Sequence, residues 1–172
     1  MPRKAISQSP QTPVSRRLIR ELSESDLFRS LDEKQLRQIL PLCEIRYCET
    51  GETLFGEGQA ATHLFLVSEG RVAIQIEFTG NQKVTIFTAR PGHSISWSAL
   101  IPPNILTASA EAVEPSLVIA IDGAGLRKLC ERNARMGYEV MQAVARIERD
   151  RLCDTRLQML DLIYWIREGI DF

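Results

Sequence analysis

The chain has 172 residues, 44% hydrophobic and 25% charged, with a formal net charge of −1. That length and balance fit one globular domain with an appended helix, and exclude a wholly disordered chain, a collagen repeat and a coiled-coil rod. No stretch approaches the roughly 20 apolar residues of a membrane span, and the start MPRKAISQSPQTPVSRR has a basic front without an apolar core. Neither a membrane anchor nor a secretory signal is expected, and the chain reads as cytoplasmic.

Charge is unevenly placed. Residues 1–20 hold Arg3, Lys4, Arg16, Arg17 and Arg20 and no acid, leaving 16 basic against 22 acidic residues in the remainder. With Pro2, Pro10 and Pro13 opposing regular structure, residues 1–22 read as a basic flexible tail on an acidic body. Such a body is a poor surface for DNA, because phosphate contacts supply most non-specific affinity.

Past the tail, Ser25 and Asp32 are placed to cap two short helical stretches, and Leu36, Ile39 and Leu40 share a face. Pro41 ends or kinks the second. The texture then turns to β. Strand-like runs cover 44–48, 53–55, 64–67, 71–78, 83–89 and 116–121, punctuated by glycines at 51, 56, 58, 70, 80 and 92. Thr79-Gly80-Asn81 reads as a hairpin turn. Short strands at this spacing predict a sandwich or jelly roll, which hides its edges.

The final third is helical. Asp122 can cap a helix over 123–132, and a second helix runs from Ala134 to about Arg167. Met136, Val140, Val144 and Ile147 form a stripe at helical spacing. About 30 residues at roughly 1.5 Å each span about 45 Å, more than the width of the β domain. The stripe predicts a partner, and a homodimer through this helix is expected.

Cys43, Cys48, Cys130 and Cys153 form no C-x-x-C pair, and the two histidines, His63 and His93, stand 30 residues apart. A closed zinc site, a haem ligand set and an iron–sulfur cluster all lack donors here. No metal and no cofactor are expected, and a jelly-roll metalloenzyme is not the reading.

The run Thr53-Leu-Phe-Gly-Glu-Gly-Gln-Ala-Ala-Thr-His-Leu-Phe-Leu-Val-Ser-Glu-Gly-Arg-Val-Ala-Ile74 resembles the cyclic nucleotide-binding domain family, most of all the effector domains of catabolite activator-like bacterial regulators. Gly58, the apolar run 64–67, Gly70, Val72 and Ile74 follow the family's order. The resemblance continues through Pro91-Gly92, Ala108, Ala110 and the long closing helix, over roughly 25–165. It implies an α+β, mainly β fold: an eight-stranded jelly-roll barrel at 23–133, short N-terminal helices, and a long dimerisation helix at 134–172.

In that family the ligand is held by a cassette between two strands, patterned Gly-Glu-apolar-small, a spacer, then Arg-Ser/Thr-Ala. The glutamate takes the ribose hydroxyl, the arginine pairs with the cyclic phosphate, and a short helical turn aims its amides at that phosphate. The corresponding stretch here is Ser96-Trp97-Ser98-Ala99, then Leu106-Thr107-Ala108. Serine stands for the glycine, tryptophan for the glutamate and leucine for the arginine, while Ala99, Thr107 and Ala108 match. Trp97 either fills the pocket or stacks on an aromatic ligand. A replacement cation would come from the long helix, from Arg151 or Arg149.

The family's activators continue into a winged helix-turn-helix, and no recognition helix is found here, so sequence-specific DNA binding is not expected. The resemblance thus implies a stand-alone, non-enzymatic regulatory or sensor domain acting through protein contacts on an unidentified partner, with cyclic AMP and cyclic GMP binding weakened or lost. The alternative is a scaffold with a vestigial pocket.

Overall fold

A computed structural model of the protein describes residues 13–78 and 82–167. The expected hairpin turn at 79–81 and the basic residues Arg3 and Lys4 lie outside them.

The first element corrects the expectation of a tail through residue 22. Pro13–Glu24 is a helix, α1. Proline is at home at the first helical position, where its missing N–H has no partner to lose. Val14, Leu18 and Leu22 recur every fourth residue, and Leu18 and Leu22 are 1% and 0% exposed. Fully burying a leucine is worth roughly 1.5–3 kcal/mol, which outweighs the basic residues on the other face. Arg17 pairs with Glu21 at 2.6 Å and with Glu69 at 2.7 Å, tying α1 to the sheet.

Ser25 Oγ accepts from Phe28 N at 3.1 Å, capping a turn rather than a helix. Asp32 caps α2 (Glu33–Ile39) in a reciprocal box with Gln35. Pro41 sits in the 3₁₀ turn Leu40–Leu42 that follows.

Eight strands follow: β1 Cys43–Cys48, β2 Thr53–Phe55, β3 His63–Glu69, β4 Val72–Phe78, β5 Gln82–Ala89, β6 Ser94–Ile95, β7 Ser109–Ala112 and β8 Ser116–Asp122. They make two four-stranded sheets, ordered β1-β8-β3-β6 and β2-β7-β4-β5, with antiparallel pairing throughout. This is the expected jelly roll.

Alternation along the first sheet builds two cores. Phe65, Val67, Val118 and Ala120 face the second sheet and pack with Val72, Ile74 and Ala110. Leu64, Leu66, Ile119 and Ile121 point the other way, into a helical layer. That layer holds Leu18 and Leu22 of α1, Leu126 of α3 (Gly123–Arg132), and Met136, Val140, Ala143 and Val144 of α4 (Ala134–Arg167). Asp122 caps α3 by accepting from Gly125 N at 2.8 Å.

The helical layer corrects a second expectation. Met136, Val140 and Val144 are 0%, 0% and 2% exposed within this one chain, and Ile147 packs against the same cluster. The stripe is therefore covered by the chain's own helices and sheet. From Leu152 onward every residue of α4 whose burial is described is exposed, including Leu157, Leu160, Ile163 and Tyr164. No helix among the described residues is long and apolar enough to cross a membrane.

Candidate functional site

The segment 96–108 joins β6 to β7 and opens with a backbone reversal. Ser96 has φ 66° and ψ 37°, the left-handed region that favours glycine. A serine holds it because Ser96 Oγ donates to the carbonyl of His63 on β3, at 2.8 Å. Trp97–Ala99 then form one 3₁₀ turn, closed by Ala99 N donating to Ser96 O at 3.0 Å and Leu100 N to Trp97 O at 2.8 Å.

Ala99 is buried, and its carbonyl accepts from the Arg127 guanidinium of α3. Gly123, the first residue of α3, backs onto it, since a Cβ there would stand 2.9 Å from that of Ala99. Any side chain would push the helix off the turn. Farther along, Asn104 has φ 59° and folds the loop on itself, its Nδ2 donating to Ser98 O at 2.9 Å and Ile101 O at 3.1 Å.

The second half of the segment is strapped to the loop before β3. Gly58 N donates to Leu106 O at 2.8 Å, Leu106 N to Gln59 O at 2.9 Å, and Ala61 N to Asn104 O at 2.8 Å. This brings Leu106 and Ala99 together. Leu106 is 5% exposed and forms a small apolar cluster with Ala61 and Ala99, backed by Phe55. Thr107 is exposed and Ala108 half-buried against the core between the sheets. Ser98 is half-buried, with its carbonyl engaged by Asn104.

Trp97 goes elsewhere. It is half-buried and packs on the helical layer. There it meets Arg151 of α4, whose guanidinium carbon lies 4.1 Å from the centroid of the Trp97 ring and 4.0 Å from that of Phe87 on β5. Phe87 in turn stacks on His93, with centroids 5.5 Å apart. Burial lowers the Arg151 pKa to about 10, against the smaller opposing pull of Glu148 and Asp26. Arg149, the other cation considered on α4, instead pairs with Asp150 at 2.6 Å in solvent.

The sequence reading did not foresee Phe87, Arg127, Asn104 or Gly123 at the cassette. Phe87 reads as one more strand residue, and only the fold brings its ring to α4. The φ preference of asparagine was the one local signal for Asn104.

The histidines are spent on structure. His63 Nδ1 lies 2.9 Å from Thr62 Oγ1, and His93 stacks on Phe87. Burial pushes the Cys43 thiol up to about 12. Among the described residues no cluster of three His, Cys, Asp or Glu is placed to hold a metal.

Residues 45–133 match the cyclic nucleotide-binding domain family. The cyclic AMP receptor protein of Thermus thermophilus is 26% identical over 136 residues, covering 79% of this chain and 62% of that protein. A solved structure from Geobacter metallireducens, assigned as a cyclic nucleotide-binding protein, is 33% identical with a TM-score of 0.67, covering 82% of this chain and 98% of that one. A cyclic nucleotide-binding domain from Methylobacillus flagellatus shares the fold at 15% identity, with a TM-score of 0.72 and coverage of 91% and 95%. The chain spans 28% to 62% of the length of the curated relatives it matches.

Proposed function

Because the chain belongs to the cyclic nucleotide-binding domain family, we propose that it is a cytoplasmic regulatory sensor domain whose cassette no longer reads cyclic AMP or cyclic GMP by the family's charges. The observation that carries this reading is Leu106. It stands where the resemblance places the phosphate-pairing arginine, and it closes an apolar cluster with Ala61, Ala99 and Phe55. An anion against that wall loses water and gains no charged partner. At the other end of the cassette, Trp97 is turned toward Arg151 and the helices, where the resemblance places a ribose-binding acid.

The output is through protein contacts and not catalysis. Cys153, Leu157, Leu160 and Tyr164 recur at alternating spacings of four and three, the pattern of a coiled-coil seam, on the exposed end of α4. About 16 residues from Leu152 make a rod roughly 24 Å long. This end, in place of the buried stripe, is the surface for a homodimer or a partner helix.

A thermal-shift series tests the ligand reading. A micromolar binder in about a thousandfold excess of ligand is stabilised by about 4 kcal/mol. With dissociation constants of about 100 μM or weaker, ~1 mM cyclic AMP or cyclic GMP stabilises by at most about 1.4 kcal/mol, and the melting temperature is expected to rise by no more than about 3–6 °C. A rise of about 8 °C or more, the size that 4 kcal/mol gives a chain of this length, contradicts the reading. Stabilisation by another small molecule identifies a sensor, and stabilisation by none identifies a scaffold.

A further inference from the structure

Arg151 lies just past Ile147, which touches the helical core, and just before the exposed run that begins at Leu152. Its guanidinium is held over Phe87 and Trp97. Among the described residues it has no hydrogen-bond acceptor and no ion-pair partner. Arg146 and Arg156 of the same helix share this lack of a partner, but neither is held over a ring, and other nearby arginines are paired. Arg127 donates to Ala99 O, Arg135 pairs with Glu139 at 3.2 Å, and Arg149 pairs with Asp150 at 2.6 Å.

A guanidinium is planar. Its faces stack on rings, and its five N–H donors lie in the plane, arranged as a fork that matches the two oxygens of a carboxylate or phosphate. Contact with Phe87 and Trp97, at 4.0 and 4.1 Å from their ring centroids, restrains the guanidinium, while none of its N–H donors has a partner among the described residues. Burial removes much of the competing water. Two acids act on the site at longer range, Glu148 one helical turn back and Asp26, whose Oδ1 accepts from Ser94 N at 2.9 Å. Both oppose an incoming anion, and neither fills the fork.

We infer that Arg151 is an oxyanion-binding residue, oriented by Phe87 and Trp97, and that its ligand class is a small organic carboxylate or phosphate. The inference rests on the reading that the cassette has lost its charged readers, since it moves the anion contact from position 106 to α4. It also gives Trp97 a role. An indole at this position orients the guanidinium without consuming a single donor. Arg151 is the last residue of α4 that is not fully exposed before the projecting end, so an anion bound there sits at the root of the proposed contact surface.

The test uses the full chain with Trp165→Phe, which leaves Trp97 as the sole tryptophan of two. Phenyl phosphate, benzoate and neutral benzamide are titrated at constant ionic strength, read by Trp97 fluorescence and by calorimetry. One anion is expected to give a saturable response and benzamide none, and the arm that binds separates phosphate from carboxylate. Arg151→Gln is expected to weaken binding by about 10- to 150-fold, the cost of hydrogen bonds to a charged group, and Arg151→Lys, which keeps charge without the fork, by less. No saturable response to either anion below ~10 mM, a free energy too small for a built site, overturns the inference. So does affinity unchanged in Arg151→Gln. Should Arg151→Gln fail to fold by circular dichroism, equal affinity in Arg151→Lys and the unaltered chain overturns it. Tight cyclic AMP binding that survives Arg151→Gln contradicts the reading of the cassette, and the phenyl phosphate and benzoate arms still decide Arg151.

Discussion

At one end of the cassette, Leu106 turns inward, strapped by three backbone hydrogen bonds at or beside it to the loop before β3, and shares a closed apolar cluster with Ala61 and Ala99. At the other end, Trp97 turns outward to the helices and lies against the half-buried Arg151. Both residues stand where the family resemblance places a charge. The inner end is filled by apolar packing. The outer end has a charge beside it, on another element and of the opposite sign. One loop with a single backbone frame, a left-handed residue at Ser96 and a 3₁₀ turn at 97–99, thus presents two different environments at its two ends.

The inner end is the more costly to break. Leu106→Arg places a guanidinium among Ala61, Ala99 and Phe55 with no partner, and is expected to destabilise the unliganded protein by about 3 kcal/mol. For a chain of this size that lowers the melting temperature by about 6–12 °C, read by calorimetric scan. A change below about 1 kcal/mol would mean that the cluster is open to water.

Trp97→Ala removes a half-buried ring and its contact with Arg151. It is expected to cost about 2 kcal/mol by urea unfolding, less than a fully buried aromatic. Trp97→Phe keeps a ring and is expected to recover about half of that loss. A cost equal in both variants would show that the cation–ring contact contributes nothing.

Exposed positions separate site from fold. Leu160→Glu on the projecting end of α4 is expected to change stability by no more than about 0.5 kcal/mol. Sedimentation is expected to show weakened self-association in that variant, and a chain that is monomeric at high micromolar concentration before substitution contradicts the dimer proposal. Thr107→Ala, exposed at the inner end, is expected to fall within about 0.5 kcal/mol of the unaltered chain by the same unfolding assay.

Much of this frame was legible. Alternation and glycine spacing located β1 to β5 and β8, and the bounds of α3 and α4 follow from Asp122 as a cap and an unbroken helical period. Strands β6 and β7 were not read from pattern, because Ser94–Ile95 and Ser109–Ala112 are short and rich in serine and alanine. Their pairing comes from β3, β2 and β4, a tertiary cause. Only the family resemblance supplied the count of eight.

Both corrections concern the helical layer. Counting prolines and arginines over residues 1–22 hid the fourfold spacing of Val14, Leu18 and Leu22. The stripe on α4 looked like a dimer seam because its packing on α3, in a cluster shared with the outer face of the first sheet and with α1, comes only from the tertiary fold. At the cassette, the residue substitutions were legible at once, while the meeting of Phe87, Trp97 and Arg151 was not. They come from a strand, a turn and a helix, and only the packed fold joins them.

Calorimetric titration of the unaltered chain with cyclic AMP, beside the Leu106→Arg, Trp97→Glu double variant, tests the central claim most directly. Loss of two charged contacts at about 1.5–3 kcal/mol each weakens a micromolar site by roughly 100- to 10,000-fold. The unaltered chain is therefore expected to show a dissociation constant of about 100 μM or weaker, with binding regained in the double variant. Low-micromolar binding by the unaltered chain would contradict the account, since it would mean that the cyclic phosphate is still read despite Leu106.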